Sequence, residues 1–201
     1  MGIEEIASLL IIEQQKSHQM HTPLVVSLVC EPWTGTEVGV GWGWNSAALL
    51  INCPNLQLNM VDFYWKFPPE HPYHHANDFV GDSPQSFLDQ MRAHALGITD
   101  WAGDRRRIYR MTSPEAALRI SDGSQDFVFI DADHTYESVL YDLIAWYPKV
   151  REGGLFFGHD YGLWDVKPAV DDFAAGMALT VKTHNFGIWS IVKRYRKKKI
   201  F

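Results

Sequence analysis

Residues 126–131 form the stretch that most restricts how this chain can fold. Its sequence, Asp-Phe-Val-Phe-Ile-Asp, places four apolar, β-prone residues in a row between two acidic residues. Strands that are buried on both faces of a parallel sheet have such continuous apolar runs, whereas half-exposed strands alternate apolar and polar residues. The stretch therefore predicts a central strand of a parallel sheet, with helices covering both faces.

Segments of strand character alternate with segments of helix character along most of the chain. We predict strands at 35–40, 56–63, 107–111, 126–131 and 155–158. We predict helices at 45–52 with Asn45 or Ser46 as N-cap, at 84–96, from 113 onward, at 137–150 and at 167–176. Residues 3–16 have the spacing of an amphipathic helix, and residues 25–30 are either a short strand or a helix end.

The last predicted elements are two strands, 179–183 and 188–194, on either side of a four-residue turn. They predict a hairpin, which adds an antiparallel strand to the otherwise parallel sheet. The expected fold class is therefore α/β, with a doubly wound, mostly parallel sheet of seven strands. A dinucleotide-binding Rossmann domain does not usually end with such a hairpin.

Length and composition predict one domain over residues 1–201. We divide it into an N-terminal helical extension (1–30), a loop rich in proline, histidine and aromatic residues (64–83), and a basic tail (193–201). Apolar residues make up 46% of the chain and charged residues 21%, as in a folded protein. The net charge of -6 argues against nucleic acid as the main partner.

Cellular location is predicted from the cysteines and from the absence of membrane segments in the sequence. Cys30 and Cys53 are too few for a disulfide framework, and we expect both to be buried thiols. No apolar run has the length of a membrane span, and the N-terminus does not resemble a signal peptide. We therefore expect a cytoplasmic protein without a membrane partner, and a homo-oligomer is compatible with the amphipathic N-terminal helix.

A glycine-rich loop follows the first predicted strand, with Gly39, Gly41 and Gly43 at alternate positions. Such a loop lets backbone N–H groups approach a ligand, although a turn can need glycine for its geometry alone. Trp44 stands where the dinucleotide-binding pattern requires a glycine. Glu37 precedes the loop, and its carboxylate would repel a pyrophosphate but suits a cationic ligand such as a sulfonium.

Asp62 ends the second predicted strand, about twenty residues after the glycine loop. A carboxylate at this place suits the two hydroxyl groups of a ribose, although a turn or a helix cap also uses aspartate. Together with the glycine loop, Asp62 favours an adenosine-containing ligand.

Acidic and imidazole side chains follow the fourth and fifth predicted strands, namely Asp131, Asp133, His134, His159 and Asp160. The carboxyl ends of parallel strands lie at one edge of the sheet, so we expect these side chains to lie in one crevice. Clustered carboxylates repel each other unless a cation joins them, and oxygen ligands with an imidazole suit Mg²⁺ or Mn²⁺. A single such residue is usually a cap, but the two motifs together favour a functional site.

The stretches 37–43, 61–62, 129–136 and 153–161 together resemble the class I S-adenosylmethionine-dependent methyltransferases. The closer resemblance is to the small-molecule O-methyltransferase branch, which includes sugar, macrolide-sugar and catechol-type enzymes. It covers about residues 33–195 and implies a Rossmann-like methyltransferase fold. It also implies that the acceptor is a small molecule.

The resemblance implies roles for individual residues. The cofactor S-adenosylmethionine would be bound by the glycine-rich loop and the strand ends, at Glu37, Gly39, Gly41, Gly43, Ser46, Asp62, Ser113 and Asp131. A metal ion, Mg²⁺ or Mn²⁺, would be bound by Asp131, His159 and Asp160, and His134 would be the general base. His159 stands where relatives have Asp or Glu, and this departure weakens the expected affinity for Mg²⁺.

Three other classes of function remain open at this point. They are a nicotinamide-dependent oxidoreductase, a metal-dependent hydrolase that uses the same acidic and imidazole residues, and a binding protein without catalysis. Further candidates for the acceptor pocket are Trp164 and the aromatic and histidine residues of the loop 64–83. Histidines 71, 74 and 75 of that loop either form a second metal site or belong to an ordinary surface loop.

Overall fold

The computed structural model describes residues 2–13, 20–29, 31, 33–71, 80–163 and 165–194. Its sheet has seven strands in the order β3-β2-β1-β4-β5-β7-β6. The strands are β1 Thr34–Val38, β2 Gln57–Asp62, β3 Arg106–Arg110, β4 Gln125–Ile130, β5 Val150–Gly158, β6 Lys182–Thr183 and β7 Trp189–Val192. Strand β7 is antiparallel to both of its neighbours, and the pairs among β1 to β5 are parallel. The predicted fold class is confirmed.

Seven α-helices accompany the sheet in the described part of the chain. They are α1 Ile3–Glu13, α2 Thr22–Leu28, α3 Trp44–Asn52, α4 Gln85–Thr99, α5 Ser113–Ala117, α6 Tyr136–Trp146 and α7 Val166–Gly176. Ile6 and Leu10 of α1 are buried against α3 and α4, so this amphipathic helix packs on its own domain. The undecided segment 25–30 lies in α2 as far as Leu28, and Cys30 lies outside the described residues.

Strand β4 separates the two main apolar cores. Phe127 and Phe129 point to the core under α3 and α4, whereas Val128 and Ile130 point to the core under α6 and α7. All four side chains are buried because successive side chains of a strand point to opposite faces, and both faces are covered by helices. The apolar run predicted this double burial correctly.

Several predicted boundaries differ from the structure, and three of them have an identifiable physical cause. Helix α3 has Gly43 as its N-cap, with φ 83°, so Asn45 and Ser46 lie inside the helix and bond to other residues. Helix α6 ends at Trp146, and a 3-10 turn containing Pro148 follows it. The helix ends there because proline lacks the N–H that a longer helix needs. Strand β5 can therefore begin early, at Val150 instead of residue 155.

The strand order reverses beside β1, because the chain passes from β1 to β2 on one side and continues later with β4 on the other. In open α/β sheets, the carboxyl ends of the strands form a ligand-binding crevice at such a switch point. No helix among the described residues is long and apolar enough to cross a lipid bilayer.

Candidate active site

A cavity of about 1160 Å³ lies at the carboxyl edge of the sheet, over the switch point. The ends of β1, β2, β4 and β5 contribute to its wall, together with the starts of α2, α5 and α6. Eight predicted site residues line it, namely Gly39, Gly41, Asp62, Ser113, Asp131, His134, His159 and Asp160. Glu37, Gly43 and Ser46 lie behind this wall.

The glycine-rich loop is held against the end of β4. Gly39 has φ 88°, and a Cβ atom there would lie 1.9 Å from the backbone oxygen of Asp131. The amide of Gly39 donates to the carbonyl of Val61, 2.9 Å away. Only glycine fits this close approach, so the loop brings β1, β2 and β4 together at the floor of the cavity.

Glu37 is buried directly beneath the loop, at 1% exposure. The Ser46 hydroxyl donates to its Oε2, while its Oε1 has no hydrogen-bond partner among the described residues. The pKa of Glu37 is raised to about 8, mainly by burial; the Ser46 bond opposes this shift, and the nearby carboxylates of Asp131 and Asp62 add to it. A buried acceptor of this kind favours a cation in the adjoining cavity.

Asp62 lines the cavity from the end of β2. Its Oδ2 accepts the N–H of Gly41 at 2.9 Å, and its Oδ1 accepts the N–H of Tyr64 at 3.1 Å. Burial raises the pKa of Asp62 to about 6, although these backbone hydrogen bonds oppose the shift. The two bonds fix the carboxylate in place, and each oxygen retains a lone pair for a ligand hydroxyl.

Two carboxylates and two imidazoles meet at the ends of β4 and β5. His134 Nε2 lies 2.9 Å from Asp160 Oδ2. His159 Nδ1 lies 3.3 Å from Asp160 Oδ1 and 3.5 Å from Asp131 Oδ1. All four side chains are between 13% and 19% exposed, and the sequence-based expectation that they share one crevice agrees with this geometry.

The histidines alter the charge balance of this cluster. Burial by itself would raise the pKa of Asp160, but the bonds to His134 and His159 outweigh it and hold the pKa well below its ordinary value. Burial would likewise lower the pKa of His159, but the charges of Asp131 and Asp160 raise it to about 10. The cluster therefore combines carboxylates with compensating imidazoles instead of bare like charges.

Sequence reasoning missed His21, which comes from the N-terminal extension. Its ring lies 4.0 Å from the ring of His159, centroid to centroid, and its Nε2 lies 3.7 Å from Asp131 Oδ2. Asn45 Nδ2 lies 3.0 Å from the same nitrogen. Position 21 belongs to no motif and precedes the sheet by a dozen residues, so only the packing of α2 on α3 reveals it.

Metal-binding geometry can be judged from the distances between donor atoms. One atom each from Asp131, His134 and Asp160 lies within 4.8 Å of the others, and so does one each from His21, Asp131 and His159. Among the described residues, the predicted trio of Asp131, His159 and Asp160 does not form a group by this measure. His159 nevertheless lies within 3.5 Å of both carboxylates.

The other candidates for the acceptor pocket are partly described. In the loop 64–83, the residues Tyr64, Trp65, Phe67 and His71 line the cavity. Phe67 stacks on His71 and on Phe63, with ring centroids 4.3 and 5.1 Å apart. Residues 72–79, with the remaining histidines, lie outside the described residues, as do Trp164 and the basic tail beyond Arg194.

Fold and site together define a class of protein. The strand order, the antiparallel seventh strand, the glycine-rich loop and the carboxylate at the end of β2 are those of the class I S-adenosylmethionine-dependent methyltransferases, as the sequence predicted. A family model described as a methyltransferase domain matches residues 35–161, and the chain belongs to this family. The match favours a methyltransferase over the oxidoreductase and hydrolase alternatives.

Solved structures agree with this assignment at the level of the fold. The O-methyltransferase NovP is 17% identical, with a TM-score of 0.67 over 88% of this chain and 81% of its own. An O-methyltransferase from Bacillus cereus, in complex with S-adenosylhomocysteine (SAH), is 13% identical, with a TM-score of 0.61 over 95% and 90%. A 1,6-didemethyltoxoflavin-N1-methyltransferase from Burkholderia thailandensis is 11% identical, with a TM-score of 0.59 over 92% of this chain and 81% of its own. No curated protein sequence matches the chain.

Proposed function

We propose that this protein transfers the methyl group of S-adenosylmethionine to a hydroxyl group of a small molecule. The observation that supports this most directly is a single cavity that joins two sets of residues. One set is the glycine-rich loop with Asp62, and the other is the pair of His134 and Asp160. Cofactor and acceptor can thus occupy adjoining parts of one crevice, which is the arrangement that methyl transfer requires.

The cavity fits the cofactor in size and in chemistry. Its volume of about 1160 Å³ exceeds the range of roughly 300–1,000 Å³ for small-molecule sites, which leaves room for a cofactor and an acceptor. Gly39 and Gly41 border the part next to Glu37, where a cationic methionine group compensates the buried carboxylate. Asp62 would accept the ribose hydroxyls, and residues 111–113 would border the adenine.

His134 is the proposed general base. His134 Nε2 lies 2.9 Å from Asp160 Oδ2, so the neutral tautomer with its hydrogen on Nε2 is the one that this carboxylate stabilises, and its proton-accepting lone pair is on Nδ1. The acceptor oxygen forms a bond to the methyl carbon while the carbon–sulfur bond breaks. The hydroxyl proton passes to His134, and SAH and the methylated acceptor leave.

The proposal includes a divalent cation, Mg²⁺ or Mn²⁺, at Asp131 and Asp160, with His159 as a nitrogen ligand. Ligands of a common ion at about 2.1 Å lie roughly 3 Å apart, and the spacings of 3.3 and 3.5 Å around His159 Nδ1 are close to that. The three donor atoms do not all lie within 4.8 Å of one another, so the two carboxylates would have to move closer together to bind one ion. When bound, the ion would lower the pKa of a coordinated hydroxyl and so ease its deprotonation.

Methyl transfer to a panel of acceptors tests the proposal. Phenols, catechols and sugars are incubated with S-adenosylmethionine, SAH formation is followed, and products are identified by mass spectrometry, with primary amines as controls. We expect an O-methylated product that disappears with His134→Gln. Methylation of the amines alone would refute the choice of acceptor. Full activity in a chelator would remove the metal ion from the proposal without affecting the rest.

A further inference from the structure

Asp142 is a carboxylate on the buried face of α6. Val139, Leu143 and Trp146 of the same face pack in the core, and Asp142 itself is 4% exposed. A carboxylate is rarely buried without a partner, because removing its charge from water costs several kcal/mol. Asp142 nevertheless lines the cavity, on the side formed by α5 and α6.

The hydrogen bonds of Asp142 leave one of its oxygens open. The hydroxyl of Ser113 donates to Oδ1, and the Ser113 oxygen in turn accepts the indole N–H of Trp146 at 2.8 Å. No donor among the described residues bonds to Oδ2. A serine hydroxyl has one hydrogen, so Ser113 has none left to donate to a ligand. Asp142 Oδ2 is therefore an open acceptor on this wall of the cavity.

No basic side chain compensates Asp142 in the described part of the chain. Burial raises its pKa to about 7, the Ser113 bond opposes this shift, and the charge of Asp133 adds to it. A buried acceptor in such surroundings gains most from a ligand that donates a hydrogen bond.

Asp142 lies on the side of the cavity where the proposed function places the adenine of the cofactor. This inference therefore rests on the proposed function. Asp62, the proposed ribose contact, is paired in the sheet with Arg110 at the end of β3. From Arg110 the chain runs through residues 111–112 into α5, whose first residue is Ser113. Asp62, Ser113 and Asp142 line the same cavity, so a nucleoside with its ribose at Asp62 can place its base against Ser113 and Asp142.

We propose that Asp142 recognises the exocyclic amino group of the cofactor's adenine, through the carboxylate oxygen that Ser113 leaves open. Ser113 is a positioning residue that holds the carboxylate in this orientation. Adenine presents an N–H donor at C6, whereas hypoxanthine presents a carbonyl oxygen there. The carboxylate accepts from the first and repels the second, so Asp142 selects the base.

Binding of two ligands that differ at C6 and in the hydrogen on the adjacent N1 tests the proposal. SAH and S-inosylhomocysteine are titrated calorimetrically into the wild-type protein. We expect SAH to bind about 10- to 100-fold more tightly, as a site does when a buried acceptor would otherwise lose its donor. Equal affinity for the two ligands would overturn the inference, whether or not any variant folds.

Two substitutions separate recognition from positioning. Asp142→Asn keeps the size of the side chain and can still accept from Ser113, but its amide offers N–H donors to the cavity. We expect the preference for SAH to disappear or to reverse in this variant. The matched control Ser113→Ala removes the bonds of Ser113 to Asp142 Oδ1 and to Trp146 but keeps the carboxylate, so it should weaken both ligands while the preference for adenine remains.

The outcomes distinguish this inference from the proposed function. A wild-type protein that binds neither ligand contradicts the proposed cofactor and, with it, the role of Asp142. If the wild type and Asp142→Asn both bind SAH with the same preference over S-inosylhomocysteine, the role of Asp142 is wrong but the proposed cofactor is not. If Ser113→Ala abolishes the preference while folded Asp142→Asn retains it, Ser113 is the recognition residue and the inference is wrong.

Discussion

His134 combines a position in the cavity with a carboxylate partner, and the proposed chemistry depends on it. We expect His134→Gln to lower turnover by about 100- to 10,000-fold, the usual contribution of a general base. The dissociation constant of SAH should change little, because the cofactor is proposed to bind elsewhere in the cavity. His184, which bonds to Ser190 and does not line the cavity, provides the control His184→Gln. Unchanged turnover in His134→Gln would exclude this residue as the base.

Glu37 makes the stability of the ligand-free protein depend on pH. Its pKa is raised from about 4.5 to about 8 in the folded state, so the folded state favours the protonated carboxyl. The contribution of this raised pKa to the free energy of unfolding is fully present below pH 4.5, and it is lost as the pH rises toward 8. The loss amounts to roughly 1.4 kcal/mol for each pH unit in that window, as an upper limit.

Glu37→Gln keeps the shape of the side chain but cannot ionise. We therefore expect the unfolding free energy of the wild type to fall more steeply between pH 5 and pH 8 than that of the variant. Urea denaturation at both pH values measures this difference, and the other raised carboxylates, Asp62 and Asp142, are present in both proteins. Parallel pH profiles would mean that Glu37 does not titrate in this window.

Asp142 shows what could be predicted at the scale of the residue. The sequence placed Asp62, Asp131 and Asp160 at the wall of the cavity, because each of them belongs to a motif and lies at the end of a strand. Asp142 lies in the middle of a helix and belongs to no motif. Its spacing of three from Val139 and four from Trp146 places it on the apolar face, and that spacing was the signal available in the sequence.

At the scale of the element, the glycine-rich loop has the strictest requirement. Gly39→Ala places a Cβ atom 1.9 Å from a backbone oxygen and also requires an unfavourable positive φ. We expect a loss of about 3 kcal/mol or more in stability, together with loss of SAH binding. Thermal unfolding and calorimetry measure the two effects.

The matched control is Gly97→Ala in α4, where an added Cβ meets no atom within 4 Å. Alanine favours the helix, so this variant should gain about 0.5–1 kcal/mol and bind SAH normally. If Gly39→Ala has the same stability and SAH affinity as Gly97→Ala, the loop does not pack closely against β4.

Element boundaries were predicted less well than the elements themselves. Asn45 and Ser46 have good N-cap chemistry, but their side chains bond to His21 and Glu37, and Gly43 begins the helix instead. The N-cap preference is a local effect of about 1 kcal/mol, and the buried bonds made by these side chains override it. Tertiary contacts of this kind are not visible in a local sequence pattern.

For the whole molecule, the mostly parallel sheet followed from the alternation of elements, and its antiparallel strand followed from the final hairpin. The path of the N-terminal extension did not follow from either. Its helices α1 and α2 pack on α3, and this packing brings His21 to the ring of His159 at the ends of β4 and β5. The general topology of the sheet is fixed by the apolar pattern, whereas the placement of such an extension depends on side-chain fit over a small area.

The central claim is that the cavity at the carboxyl edge of the sheet binds the adenosyl cofactor. Calorimetric titration with SAH of the wild type, of Asp62→Asn and of the exposed-site control Asp122→Asn tests it most directly. We expect one SAH molecule to bind per chain, the affinity of Asp62→Asn for SAH to be about 10- to 100-fold lower, and that of Asp122→Asn to be unchanged. No binding to the wild type, or equal affinities for all three proteins, would contradict it.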